Sequence, residues 1–465
     1  MPAAGDSYDL VVLGGGSGGY AAALRAAELG QTVALVEQDK LGGTCLHRGC
    51  IPTKALLHAG EVADAARDGS QFGIVSSVEK VDMPALNAYK DGVVSRLYKG
   101  LQGLVASRAI TVVAGRGRLV AADTVEVALA DGGTRSVTGR AVVLASGSIS
   151  RSLPGLEIDG EAVITSDQAI NLDHVPTSVV VLGGGVIGVE FASAWTSLGA
   201  SVTIVEALPR LVPAEDEAVS KALERAYRRR KIAFRTGVRF AGVERTPAGV
   251  RVSLEDGTTL DAELLLVAVG RGPNTADLGY EAVGVRTDRG FVITDERLAT
   301  SVPGIWAVGD IVPGLQLAHR GFGHGIFVAE EIAGLRPAVI DEVGIPRVTY
   351  CDPEIASMGL TEAQAAEKYG ADGIESYQYD LAGNGRSQII KTAGFVKLIR
   401  AKDGPVVGLH MIGARMGEQV GEAQLIFNWE ALPAEVAQLI HAHPTQNEAL
   451  GEAHLALAGK PLHVH

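Results

Sequence analysis

Cysteine is scarce in this chain: Cys45, Cys50 and Cys351 are all there is in 465 residues. So few thiols argue against a disulfide-stapled secreted fold and for a reducing compartment, where a disulfide that does form is catalytic more often than structural. Only one closely spaced cysteine pair exists, so a zinc site, which needs about four ligands, lacks its second half. Basic residues are in deficit, 41 against 54 acidic ones, for a net charge of −13. That balance argues against nucleic acid or an anionic membrane as the main partner. No stretch of 18 uninterrupted apolar residues occurs, so none is expected to span a bilayer. The beginning, MPAAGDSYDLVVLGGG, lacks the basic start of a signal or transit peptide and runs straight into a strand. There is no low-complexity segment and no long linker. A cytoplasmic enzyme is the expectation.

What the chain does have is length, glycine and one unusual stretch. At 465 residues it is too long for a single core and suggests about three domains. Its 59 glycines follow no collagen period and point to many tight backbone approaches. The stretch is GGTCLHRGCIPTK, residues 42–54, with four residues between Cys45 and Cys50. On an ideal helix, residues five apart rise by about 7.5 Å and point away from each other. A disulfide tolerates Cα separations of only about 4.4–6.8 Å. If the two pair, the helix must be distorted between them, and Gly49 supplies the freedom. A bridge over so short a loop gains little chain entropy, but a strained one can accept two electrons and return them. Redox chemistry leads over two buried thiols or half a metal site.

Tyr8 to Leu13 reads as a buried parallel strand running into Gly14, Gly16 and Gly19. An alanine-rich helix, Tyr20 to Leu29, ends at Gly30, and a second strand, Gln31 to Glu37, follows. This is a βαβ unit with GxGxxG between strand and helix and an acid, Glu37, 18 residues beyond the last glycine. The unit recurs at a constant offset of 169: Gly183, Gly185, Gly188, Gly199 and Glu206. In each, glycines let a pyrophosphate approach a helix N-terminus, and the glutamate accepts from a ribose 2′-hydroxyl. Two dinucleotide sites in one chain imply one electron carrier passing to another. The carboxylate of Glu206 would repel a 2′-phosphate, favouring NAD over NADP. Arg210, past Pro209, reads as a surface residue.

Ala141 to Gly147 and Leu264 to Gly270 are further buried strands, and Gly304 to Asp310 is a strand ending in an acid suited to a sugar-like hydroxyl chain. From about Pro346 the texture becomes that of an antiparallel sheet (346–358, 394–400, 406–412), with helices expected over 417–427 and 433–442. Near the C-terminus stands His441-Ala442-His443-Pro444-Thr445-Gln446-Asn447-Glu448. Thr445 and Glu448 fit a capping box. Glu448 could equally orient His443 as a proton shuttle, and the two roles are compatible.

In this order, GGTCLHRGCIPTK, the two glycine fingerprints, AVGD (307–310), LAH (317–319) and HPTxxE (443–448) make the chain resemble the flavin-dependent disulfide reductases over essentially its full length, most closely those that oxidise dihydrolipoamide. The resemblance implies an α/β fold: two Rossmann-like dinucleotide-binding domains plus a C-terminal α+β dimerisation domain. Residues 1–150 would open an FAD-binding domain, 151–276 bind NAD, 277–345 complete the FAD-binding and central part, and 346–465 dimerise. Cys50 would lie against the flavin, Cys45 exchange with substrate, and His443 with Glu448 move the proton. Around FAD the resemblance places Gly14, Gly16, Gly19, Glu37, Lys54, Gly117, Gly147, Asp310 and Ala318, with Lys54 paired to Glu190. Around NAD it places Gly183, Gly185, Gly188, Glu190, Glu206, Val238, Gly270 and Arg271. The partner implied is dihydrolipoamide on the lipoyl domain of a 2-oxoacid dehydrogenase complex. In a two-fold dimer, His443 of one subunit would serve the cysteines of the other.

Three places depart from the usual pattern: His47-Arg48 between the cysteines, His324 where an acid is usual after LAH, and Gln446-Asn447 before Glu448. None removes a reacting group. They are expected to make the substrate entrance more polar, and Arg48 to lower the Cys45 pKa. A glutathione-type reductase should carry basic residues where Glu206 stands, and a mercuric reductase should carry a C-terminal cysteine pair. A reductase of another disulfide, a quinone or oxygen, and a non-catalytic subunit of the same fold, are the other readings. Cys351 reads as a small buried residue.

Overall fold

The structure, a computed structural model, describes residues 6–464. It divides into two compact units. The first combines Met1–Ala55, Pro84–Arg151 and Gly270–Ile340; the second combines Leu56–Met83, Ser152–Val269 and Asp341–His465.

The first unit is built on a sheet in the order Thr111–Ala114, Val33–Glu37, Ser7–Leu13, Thr134–Leu144, Thr124–Ala128, Arg116–Ala121, with Ile305–Ala307 also beside Thr134–Leu144. Its central pairings are parallel, and the last two strands return antiparallel. Leu10, Val11 and Val12 are buried on both faces, as an apolar run with no alternation requires. The alanine-rich helix Ser17–Glu28 buries Ala21, Ala22, Ala23 and Ala26, small residues that let it lie close to its neighbours.

The second unit repeats the core of the first. Ala233–Thr236, Ser201–Glu206, Ser178–Leu182, Leu264–Val267 and Val163–Ile164 form an all-parallel sheet in that order. The repeat extends to register. Leu10 faces Val33 and Leu13 faces Val36 in the first sheet; Val179 faces Val202 and Leu182 faces Val205 in the second. The 169-residue offset therefore holds at the level of individual Cα pairs. The unit ends in a five-stranded antiparallel sheet: Arg347–Thr349, Glu354–Gly359, Val406–Gly413, Phe395–Ala401, Ile374–Asp380.

Several expectations need correcting. The strand expected over 346–358 is interrupted at 350–353. The helix expected over 433–442 stops as Pro433–Val436, and the apolar residues that suggested its continuation, Leu439 and Ile440, are exposed. The 25-residue helix Met83–Ser107 is an element that the sequence reading passed over: Val94, Tyr98, Leu101 and Val105 recur at helical spacing and pack on the core, while Gly92, Gly100 and Gly103 lower its propensity and face open space rather than a close neighbour. Glycine abundance therefore reflects close approach at only part of its positions. Arg210 is half-buried and donates to the carbonyls of Pro213 and Glu215, so it closes a loop instead of lying free on the surface.

Candidate active site

The two cysteines lie on different helices. Gly43–His47 ends at Arg48, and Cys50 opens Cys50–Asp68. A Cβ on Gly49 would stand 3.1 Å from the Thr44 carbonyl oxygen and 3.6 Å from the Cys45 Cα, so glycine eases the start of the second helix close to the first. The distortion expected from the spacing is a full break, and it brings the Cys45 side chain into a hydrogen bond with Cys50. Both thiols are half-buried. The Cys45 thiol is pushed well above its ordinary range, first by that hydrogen bond and then by burial and the charge of Cys50, while Lys54 acts in the opposite sense. Two thiols sharing one site lose their protons one at a time. Tyr20, which no motif marked, feels the charge of Cys45. Burial first and that charge second raise its phenol to about 12, so it remains an O–H donor at neutral pH.

The departures between the cysteines have structural roles. Arg48 pairs with Asp39, both side chains being about half exposed (52% and 46%). The cation that favours a Cys45 thiolate is Lys54. His47 places Nε2 2.8 Å from the Leu41 carbonyl and sets its ring edge-on to Tyr98.

Each glycine fingerprint is a cradle with one open position. A Cβ on Gly14 would sit 2.3 Å from the Ala145 carbonyl oxygen, and one on Gly19 1.8 Å from that of Gly14. Their counterparts repeat this: Gly183 at 2.3 Å from Ala268, Gly188 at 1.9 Å from Gly183. These glycines serve the turn itself. The middle ones differ, since a Cβ on Gly16 would meet nothing nearer than 3.9 Å and one on Gly185 nothing within 4 Å. Both cap helices that have no side-chain cap and no acid in the first turn, Ser17–Glu28 and Val186–Leu198. Open backbone N–H groups at a helix start, without a competing carboxylate, fit a pyrophosphate.

The paired glutamates do more than await a ribose. Glu37 accepts the Gly15 N–H at 2.7 Å with one oxygen and the Asp39 N–H at 2.8 Å with the other. Glu206 accepts from Gly184 at 2.6 Å and Leu208 at 2.7 Å, the same atoms 169 residues on. Each carboxylate thus fastens its glycine loop to the next strand and keeps lone pairs for a hydroxyl donor. Burial raises the Glu37 pKa, against the Gly15 N–H that lowers it. Val238 donates its N–H to the Glu206 carbonyl, which places it beside the end of that strand. Glu190, buried on Val186–Leu198, accepts the Tyr350 N–H at 2.9 Å.

Asp310 lies in a short 3-10 turn and accepts from the Ser148 hydroxyl at 2.6 Å. Arg271 grips the same serine, donating to its oxygen at 2.8 Å and its carbonyl at 2.7 Å. Arg271 and Asp310 are therefore two ends of one chain of hydrogen bonds in the first unit. Ala318 opens the helix Ala318–Ile332. Gly147 and Gly270 follow buried strands with φ of +73° and +106° and open space at their Cβ positions. Gly117 is held by packing: a Cβ there would meet Leu13 and Val36 within 2.8 Å.

At the C-terminal end, Glu448 Oε1 lies 2.8 Å from His443 Nδ1, and Oε2 accepts the Thr445 N–H at 2.7 Å. The reciprocal capping contact, Glu448 N–H to Thr445 Oγ1, is 3.3 Å. His443 itself is 76% exposed. Gln446 is buried, accepting from the Ser387 hydroxyl at 2.6 Å and donating to the Ala414 carbonyl at 3.0 Å, and Asn447 donates to Glu422. This pair holds the loop.

The sequence model of the pyridine nucleotide-disulphide oxidoreductases matches residues 8–325, and that of their dimerisation domain matches residues 345–454. The chain belongs to the pyridine nucleotide-disulphide oxidoreductases. Among its relatives is a dihydrolipoyl dehydrogenase of Bacillus subtilis, 39% identical over 98% of this chain and 99% of the relative. Another is the mitochondrial dihydrolipoyl dehydrogenase 1 of Arabidopsis thaliana, 38% identical over 99% and 92%. The crystal structure of LpdA from Mycobacterium tuberculosis superimposes with a TM-score of 0.90 at 28% identity, over 96% of this chain and 99% of that one. This oxidoreductase is a flavoprotein that uses FAD and NAD, in keeping with its two cradles. Its dimerisation domain makes it a homodimer. No helix among the described residues is long and apolar enough to cross a membrane.

Proposed function

We propose that this protein oxidises dihydrolipoamide to lipoamide and reduces NAD+ to NADH, with Cys45 and Cys50 as the exchanging pair and His443 as its acid–base group. The observation that carries the reading is the His443–Glu448 contact, which leaves Nε2 of an exposed imidazole as the proton-accepting atom. In a two-fold dimer, His443 of one subunit would serve the cysteines of the other.

His443 takes a proton from one substrate thiol, and the resulting thiolate attacks Cys45 of the oxidised pair. The Cys45–Cys50 bond breaks and Cys50 leaves as a thiolate. The second substrate sulfur then attacks the mixed disulfide, expels Cys45, and lipoamide departs with its own new S–S bond. The dithiol now carries the two electrons. Lys54 favours a thiolate at Cys45, and Tyr20 keeps an O–H beside it. Bound FAD and NAD supply the onward two-electron transfer. Gly14, Gly16, Gly19 and Glu37 would hold the flavin dinucleotide, with Asp310 on its sugar-like chain. Gly183, Gly185, Gly188 and Glu206 would hold NAD, with Glu206 selecting against a 2′-phosphate. We assign Lys54, Glu190, Gly117, Gly147, Ala318, Val238, Gly270 and Arg271 to the margins of these two sites. The physiological dithiol is a lipoyl domain of a 2-oxoacid dehydrogenase complex, and the compartment is the cytoplasm.

The test is anaerobic reduction of NAD+ by dihydrolipoamide, run beside NADP+ and beside glutathione as reductant. Fast turnover only with dihydrolipoamide and NAD+ supports the reading. No turnover, with NADH still bleaching the flavin, would assign the site to a different disulfide or acceptor.

A further inference from the structure

The segment 437–447, which carries His443, has neither helix nor strand to fix it. One carboxylate grips it on both sides. Glu422 Oε1 lies 2.9 Å from His441 Nε2, two residues before His443, and Glu422 Oε2 accepts the side-chain amide of Asn447, the residue before Glu448. Glu422 is well placed for this. It stands on the helix Met416–Asn428, which buries Met416, Ala423 and Ile426 in the core of the antiparallel sheet and is tied at its start by Gly417 N–H to Glu354. His441 is 11% exposed, and its ring packs against the helix Glu448–Leu457: a Cβ on Gly451 would fall 2.5 Å from its Nδ1. The Glu422 carboxylate raises the His441 pKa, against burial that lowers it, and Glu448 and His454 are the other titratable groups facing this cluster.

We propose that Glu422 is a positioning residue for the reaction: it clamps both ends of the loop 441–447 and so fixes where the His443 imidazole stands against the substrate thiol. The proposal rests on His443 being the acid–base group. A loop without a backbone ladder holds its place only through side chains, and a displacement of about 1 Å at a reacting group costs on the order of 100-fold in rate. Glu422 touches no substrate. It acts through His441 on one side and through Asn447 and Glu448 on the other.

The holoenzyme separates this role from general damage, because NADH reduces the flavin without His443 while dihydrolipoamide needs it. Glu422→Ala should lower kcat with dihydrolipoamide about 10- to 100-fold while flavin bleaching by NADH stays within about twofold. The kcat/KM pH profile should shift with it. Glu422→Gln, which offers one acceptor and one donor, should recover part of the loss, and Asn447→Ala, which cuts one arm, should give a smaller one. Wild-type turnover and pH profile in both Glu422→Ala and Asn447→Ala would overturn the proposal, as would an equal loss in both half-reactions. Should Glu422→Ala fail to fold, Asn447→Ala decides by the same two readouts. His443→Ala is the control for the underlying reading: if it keeps full turnover, His443 is not the acid–base group and both ideas fall. If it loses turnover while the two clamp variants do not, only the clamp falls.

Discussion

Glu448 serves His443 with one carboxylate oxygen and the turn leading into its own helix with the other, at 2.8 Å to Nδ1 and 2.7 Å to the Thr445 N–H. The two compatible roles that the sequence offers for this residue are met by different atoms. They can be separated by substitution. Glu448→Ala should lower kcat with dihydrolipoamide by about 100-fold or more, as loss of a positioned acid–base partner does. It should also lower stability by about 1 kcal/mol, the usual net worth of one intramolecular hydrogen bond. Glu448→Gln keeps an oxygen for Thr445 and should keep the stability while losing most of the rate. Stopped-flow kinetics and thermal melts on the same preparations read both.

Lys54 takes the part at Cys45 that the sequence suggested for Arg48. Arg48 faces Asp39 in solvent, whereas Lys54 acts on Cys45. For the reduced enzyme, alkylation rate against pH should superimpose for wild type and Arg48→Ala, and move to higher pH by about one unit in Lys54→Met, the order expected for removing a nearby charge. A shift in Arg48→Ala alone would reverse the assignment.

The fingerprint glycines should fail in two different ways. Gly188→Ala drives a methyl to within 1.9 Å of the Gly183 carbonyl oxygen, so the loop itself must move and soluble, folded protein should be scarce. Gly185→Ala points its methyl into open space and should fold normally, yet bind NADH at least 10-fold more weakly, the effect of about 1.4 kcal/mol. Circular dichroism and NADH titration distinguish the two.

Glu206 is more than a specificity residue, because two backbone N–H groups depend on it. Each buried N–H left without an acceptor costs about 1–3 kcal/mol. Glu206→Ala should therefore raise the KM for NAD+ without producing efficient use of NADP+. Steady-state kinetics with both nucleotides would show it, and a clean switch to NADP+ would mean the loop holds its shape unaided.

His454 is buried, with Nδ1 2.6 Å from the Leu450 carbonyl and no hydrogen-bond partner for Nε2 among the described residues. Burial lowers its pKa to about 4. In the unfolded chain a histidine titrates near about 6.5. The folded state prefers the neutral ring, so the stability it contributes is present above pH about 6.5 and is lost as pH falls towards about 4, by about 3 kcal/mol in all. Denaturant midpoints between pH 7 and 4 should fall more steeply in the wild type than in His454→Gln, which cannot take up the proton.

Much of this molecule is determined locally. The apolar runs Leu10–Leu13 and Val179–Leu182, the glycines after them and the glutamates 18 residues on encode two copies of one βαβ unit, because strand, turn and helix each depend on neighbours close in sequence. That is why the constant offset of 169 residues extends to the register of Cα pairs. The Cys45–Cys50 spacing required a distorted helix only if the two paired, and the break at Gly49 is likewise local. Tertiary structure decided the rest, where the contacting atoms lie far apart along the chain. Gln446 looks like a polar substitution at an entrance until Ser387 and Ala414 close around it, and Asp310 gains Ser148 and Arg271 only when distant strands pair. Glu422 carries no motif at all. Its two oxygens acquire a purpose only when a helix packed on the sheet core brings them between His441 and Asn447, since a hydrogen bond depends on where two groups meet in space and leaves no period in the sequence.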